Sequence, residues 1–185
     1  WVSPMGMDDP GAAYDESASE GSGIVGAAFV YGALGYLKQL ADDLGKHEDA
    51  AQYQDAMERL YEAFNRAYYR PQQQIYQTGT WHPAGSRTVY RQTSNLVPLA
   101  FGLVPKDRVQ GVVDNLVRDI QEKGYHLDTG CVGTRYLLPI LCDYGYADVA
   151  YRIVTQTTYP SWGFWLKNGA TSTWEMWETT TRSFD

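Results

Sequence analysis

The stretch Gly23-Ile-Val-Gly-Ala-Ala-Phe-Val-Tyr-Gly-Ala-Leu-Gly-Tyr-Leu-Lys-Gln-Leu-Ala-Asp-Asp-Leu-Gly45 decides the fold. Its apolar side chains Ile24, Ala27, Ala28, Tyr31, Leu34, Leu37, Leu40, Ala41 and Leu44 recur at three- and four-residue steps, the spacing of an α-helix. Gly45 supplies the left-handed residue on which such helices commonly end. A second helical run begins after two or three residues. Ala50, Tyr53, Met57, Leu60, Phe64 and Tyr68 form its apolar stripe, Glu48, Asp49, Gln52, Asp55 and Glu58 lie on its outer side, and Pro71 ends it. So short a connection makes the two an antiparallel αα-hairpin.

The pattern then recurs along the chain. Residues 72–82 are polar around Ile75-Tyr76 and read as a short strand or loop excursion, and Thr88 to Leu103 reads as a third helix despite Pro98. Asp107 is the expected N-cap of a fourth helix through Val109, Val112, Val113, Leu116, Val117 and Ile120. After a loop over Tyr125–Gly130, helices over Gly133–Asp143 and Ala147–Gln156 flank the Gly145 turn as a third hairpin. Residues 1–22, with Pro4, Pro10, three glycines and five acidic residues, read as a long irregular loop. Three helix pairs, each followed by a long polar and aromatic loop, give an all-α fold and match half of an (α/α)6 toroid. An open solenoid would show a residue-level repeat between pairs, which this sequence lacks; an ordinary helical bundle is the other alternative.

Composition narrows the partners. The length suits one domain. A net charge of -7, with Lys and Arg scattered, leaves no basic footprint for nucleic acid. There is no unbroken run of about 18 apolar residues, so no membrane span is expected. Cys131 and Cys142 fit no metal pattern and read as buried free thiols, and His47, His82 and His126 are far apart. Trp1 and Asp185 both fall within patterned sequence, so residues 1–185 are expected to be a piece of a larger domain.

The chemistry concentrates near the C-terminal end. Gly169-Ala-Thr-Ser-Thr-Trp-Glu-Met-Trp-Glu178, behind Tyr159-Pro-Ser-Trp-Gly-Phe-Trp-Leu166, sets Glu175 between Trp174 and Trp177. Sugars present apolar C–H faces and a rim of hydroxyls, so their sites combine indole rings with carboxylates. A carboxylate in such a site can also activate water. Strand-like alternation would put Trp162 with Phe164 on one side and Trp174 with Met176 on another, leaving about half the indoles for the core. Trp174 and Trp162 are the sugar-facing candidates here, and Trp81, beside His82, either reaches the rim or packs within its loop. Asp128 either binds sugar hydroxyls or caps the following helix. His126 reads as a structural histidine, and Arg135 and Arg152 as partners of helix ends or carboxylates.

Several motifs carry a resemblance. They are Arg91-Gln-Thr-Ser-Asn95 running into Leu99-Ala-Phe-Gly-Leu-Val-Pro105, and His126-Leu-Asp-Thr-Gly130 with Gly133-Thr134 and Leu137-Leu-Pro139. Gly145-Tyr-Ala-Asp-Val-Ala-Tyr151, Tyr159-Pro-Ser-Trp-Gly163 and Gly169-Ala-Thr-Ser-Thr-Trp-Glu175 complete the set. Together they resemble the α-L-rhamnosidases of glycoside hydrolase family seventy-eight, in the C-terminal half of the (α/α)6 catalytic domain. The resemblance implies hydrolysis of terminal α-L-rhamnosides with inversion, without metal or organic cofactor, on a rhamnose-containing glycoside or polysaccharide. It implies that Glu175 is the general base and that Trp1, matching the tryptophan of a G-D-W segment, lines the sugar subsite. The general acid and a sugar-lining histidine are then expected outside residues 1–185, so the piece alone would be inactive and would lack the other half of its ring. The sequence departs from relatives at Asp128, where threonine is frequent, and at Glu178, where aspartate is frequent. Another inverting toroid glycosidase, or a carbohydrate-binding domain without catalysis, remains the alternative.

Overall fold

A computed structural model describes residues 22–77, 90–174 and 177. The elements run α1 (Ser22–Asp43), α2 (His47–Tyr68), β1 (Tyr69–Arg70), β2 (Ile75–Tyr76), α3 (Gln92–Ala100), α4 (Val109–Glu122), α5 (Cys131–Asp143), α6 (Ala147–Val154) and α7 (Trp162–Lys167). α3 packs against both α1 and α5, while α2, α4 and α6 lie each against the helix before it in sequence. The three hairpins therefore set an inner row, α1, α3 and α5, behind an outer row. The outer helices are amphipathic as such an arrangement requires: α4 buries Val112, Val113, Leu116, Val117 and Ile120, and α6 buries Val149, Ala150 and Ile153.

A conformational repeat underlies this layout although no residue-level repeat is visible. Each inner helix ends on a glycine with positive φ, Gly45 at 68°, Gly102 at 69° and Gly145 at 87°. Behind each glycine, the next amide donates to a carbonyl five residues back, as in Lys46 to Ala41, Leu103 to Pro98 and Tyr146 to Leu141. That is the Schellman closure, and it turns the chain back into the outer helix at the same point in all three hairpins.

The inner helices approach through small residues. A Cβ on Gly133 of α5 would lie 2.3 Å from Thr93 Oγ1 of α3, and one on Gly32 of α1 would meet the Phe101 ring at 2.5 Å. Phe101, at the end of α3, meets Phe29 of α1 and Tyr136 of α5 edge to face at 5.1 and 5.6 Å, joining all three hairpins. Val30, Tyr36, Leu37 and Leu40 of α1, and Leu44 just beyond its end, are exposed.

Several expectations need correction. The third helix is shorter than the pattern suggested, nine residues from Gln92; the short strand expected around Ile75-Tyr76 is present as β2, with Tyr76 opposite Tyr69 of β1. Asp107 does not cap α4; the N-cap position is Arg108, without a side-chain cap bond. Cys131 and Cys142 are exposed rather than buried, because they stand at the two ends of α5 on its outward side. α1 is, by length and composition, apolar enough to cross a membrane. Its many glycines and alanines raise its apolar character without an unbroken run of large side chains, and in this fold it packs against α2 and α3. The long loop expected over residues 1–22 lies almost wholly outside the described residues.

The α3–α5 contact makes a prediction whose sign opposes helix propensity. Alanine is favoured over glycine inside a helix by about 1 kcal/mol, but overpacking costs about 1–3 kcal/mol. Gly133→Ala is expected to lower stability in chemical denaturation; a midpoint equal to or above the parent's would contradict the close packing described.

Candidate functional site

The site region begins at the N-terminus of α3, whose first turn is polar and fully enclosed. Gln92, Thr93 and Asn95 are 0% exposed and Ser94 4%. Buried polar groups must find partners, and these do. The Asn95 side chain accepts the Tyr76 amide at 2.7 Å and donates to the Tyr76 carbonyl at 3.2 Å, tying the β-hairpin to α3. Gln92 and Asp128 bind each other reciprocally: the Gln92 amide donates to Asp128 Oδ1 (3.1 Å) and the Asp128 amide to Gln92 Oε1 (2.9 Å).

Asp128 is thus a capping residue, but for α3, which precedes it, and not for α5, whose N-cap position is Gly130. Its second oxygen lies 2.5 Å from Lys123 Nζ, which also contacts Asp119 at 2.8 Å. Burial raises the Asp119 pKa even against its bonds from Lys123 and Gln92. Burial acts to lower that of Lys123, yet Asp128 and Asp119 outweigh it and the ammonium is held above its ordinary value. Tyr90 lies beside this group. Its enclosed hydroxyl has no hydrogen-bond partner among the described residues, and burial, then Asp119 and Asp128, push its pKa well up. Sequence reasoning missed Gln92, Asp119 and Lys123 as a unit; the four-residue spacing of Asp119 and Lys123 was the available signal.

A cavity of about 460 Å³ opens beside this network, lined among others by Lys123, Asp128, Thr129, Tyr159 and Trp177. His126 borders it with both ring nitrogens engaged. Nδ1 faces the Lys123 carbonyl at 3.0 Å and so carries the hydrogen, leaving Nε2 to accept from Thr158 at 2.9 Å. A second depression of about 360 Å³ is lined by Trp162, Trp165 and Thr171–Thr173. Arg152 sits over the Tyr125 ring at 3.2 Å and Arg135 over Tyr136 at 5.8 Å, so both make cation–π contacts where helix ends or carboxylates were expected.

The tryptophans form one block between these hollows. Residues 162–167 are helical, not alternating, because Ser161 caps the Phe164 amide at 3.0 Å and starts α7. Helical geometry carries Trp165 inward, 5% exposed. Trp177 stacks on it with centroids 4.3 Å apart and planes at 21°, while Trp162 meets Trp177 edge to face at 5.2 Å and Trp174 lies 5.9 Å from Trp165. Trp162 and Trp174 are half-buried. Of the sequence-derived candidates, the structure brings Trp162 and Trp174 into this block and places Asp128 at the neighbouring cavity. Glu175, Trp1 and Trp81 lie outside the described residues, as does Glu178. Among the described residues no group of three or more His, Cys, Asp or Glu side chains could hold a metal.

Similarity to known proteins spans the whole chain. The profile of the bacterial α-L-rhamnosidase six-hairpin glycosidase domain matches residues 1–185. An α-L-rhamnosidase of Streptomyces avermitilis is 35% identical over 156 residues, 84% of this chain and 14% of its own length. One of an Alteromonas species is 31% identical over 156 residues, covering 84% and 16%. Among solved structures, an α-L-rhamnosidase from Dictyoglumus thermophilum superposes with a TM-score of 0.69 at 39% identity, over 80% of this chain and 16% of that one. The Streptomyces avermitilis enzyme complexed with L-rhamnose gives 0.68 at 35% identity, over 84% and 14%. The chain thus spans only 14% and 16% of the lengths of these two relatives.

The Asp119–Lys123–Asp128 group yields a pH-dependent prediction. Breaking a buried ion pair costs about 3–5 kcal/mol; with the lysine one-third exposed, Lys123→Met is expected to cost about 1–3 kcal/mol near neutral pH. The raised lysine pKa means its contribution is present below the ordinary lysine value and lost as pH rises through the raised one. Asp119, also raised, favours the folded state when protonated, so the mutant's deficit should shrink as pH falls through that value. Melting temperatures of both proteins across pH check this; a deficit that stays constant or grows on acidification would contradict it.

Proposed function

Because the chain belongs to the bacterial α-L-rhamnosidase six-hairpin glycosidase family, we propose that the protein it is part of hydrolyses terminal α-L-rhamnosides with inversion, Glu175 acting as general base. The observation that carries the reading is the anchored tryptophan block, which fixes Trp174 and Trp177 on either side of position 175. An inverting glycosidase needs two carboxyl groups roughly 6.5–9.5 Å apart, one protonating the leaving oxygen and one activating water on the opposite face of the ring. Asp119 and Asp128 are poor candidates for either role, since both are committed to Lys123. Glu175, between Trp174 and Trp177 in sequence, is the carboxylate assigned as base in this reading, and the general acid comes from outside residues 1–185.

In this reading Trp174, Trp162, Trp1 and Trp81 supply ring faces for sugar, and Asp128 reaches the rim through the lone pairs that Gln92 and Lys123 leave open. The remaining three hairpins of the ring complete the site and cover the exposed face of α1. The bound L-rhamnose of the Streptomyces avermitilis structure supports rhamnose as the sugar recognised.

Hydrolysis of a chromogenic α-L-rhamnoside by the intact protein tests the assignment. Glu175→Gln is expected to lower kcat by about 10²–10⁴-fold while rhamnose binding survives. Undiminished turnover would move the base elsewhere, and an intact protein that binds rhamnose without hydrolysing rhamnosides would favour a carbohydrate-binding domain.

A further inference from the structure

We infer that Trp177 is a positioning residue for Glu175, holding the segment that carries it against the start of the inner helix α5. The inference rests on the reading of Glu175 as the base. Trp177 is fixed in three ways. Its indole N–H donates to the Thr129 carbonyl at 2.6 Å, its own carbonyl accepts from the Trp165 indole at 3.1 Å, and its ring stacks on Trp165.

The acceptor is itself buried and bonded. Thr129 is 1% exposed, and its hydroxyl lies 2.8 Å from that of Thr134, which also donates to the Gly130 carbonyl at 2.8 Å. Gly130 is the N-cap position of α5. The indole bond therefore joins the acidic segment to α5, and the backbone bond joins it to α7. Trp174 packs on the same Trp165 ring, so both flanks of residues 175 and 176 refer to one indole.

Phenylalanine retains the stacked ring and removes the N–H, which is the donor in question. Misplacing a catalytic group by about 1 Å can cost about 10²-fold in rate. Trp177→Phe in the intact enzyme is therefore expected to lower kcat on an aryl α-L-rhamnoside by about 10- to 100-fold, with KM changed less than about threefold. A residue acting through Glu175 loses its effect once Glu175 is gone. In the Glu175→Gln background the same change should cost less than about twofold. A kcat within twofold of the parent, or an equal loss in both backgrounds, would overturn the inference. Glu175→Gln retaining parental turnover would instead overturn the base assignment beneath it, and that arm is read without Trp177→Phe. If Trp177→Phe gives no cooperative melt, benzothienylalanine at position 177, which keeps the bicyclic shape without the N–H, takes its place under the same criteria.

Discussion

The reciprocal pair between Gln92 and Asp128 is the contact on which the rest of the arrangement depends. α3 sits centrally among the inner helices, so its first turn is enclosed and its polar groups cannot reach water. An amide–amide or amide–carboxylate bond left unmade there would carry the full desolvation cost of the orphaned group. Gln92 and Asp128 close this account between them, and Lys123 balances the carboxylate that the closure brings inside. The same bonds fix the loop over residues 125–130 against α3, which sets where α5 begins.

From that fixed loop the site is built outward. Thr129 presents its carbonyl to Trp177, and the stack with Trp165 binds the last described residues to α7. The tryptophans thus serve two physical roles at once. Their stacked faces supply the apolar burial that orders an otherwise irregular segment, and their indole N–H groups set its register against helices. Glycines play the corresponding part in the inner row, where Gly133 admits Thr93 and Gly32 admits Phe101. The ring-forming helices can therefore stand close while the loops at their ends stay wide enough for cavities.

What could be read from the sequence follows the range of the interactions involved. α1, α2 and α4–α6 are governed by local periodicity and by glycine termini, and these were legible to within a few residues. The polar cluster was not, because Gln92 and Asp128 are 36 residues apart and nothing in either local pattern points to the other. Asp107 looked like a cap by residue type, whereas capping depends on the backbone entering the helix one residue later, at Arg108. α7 was hidden because Trp162, Phe164 and Trp165 satisfy both alternating and helical patterns over so short a run, and Ser161 settles it by bonding the Phe164 amide. Of the site, the aromatic cluster and the neighbourhood of Asp128 were legible from composition and motif; the stacking order of the indoles is a tertiary property.

The proposed base role of Glu175 requires that water, and not a protein nucleophile, attacks the anomeric carbon. Proton NMR of the first rhamnose released from an aryl α-L-rhamnoside by the intact protein reads this directly, before mutarotation mixes the anomers. The β anomer appearing first is the predicted result. The α anomer appearing first would contradict it, since retention would make the active carboxylate a nucleophile and remove the base role assigned to Glu175.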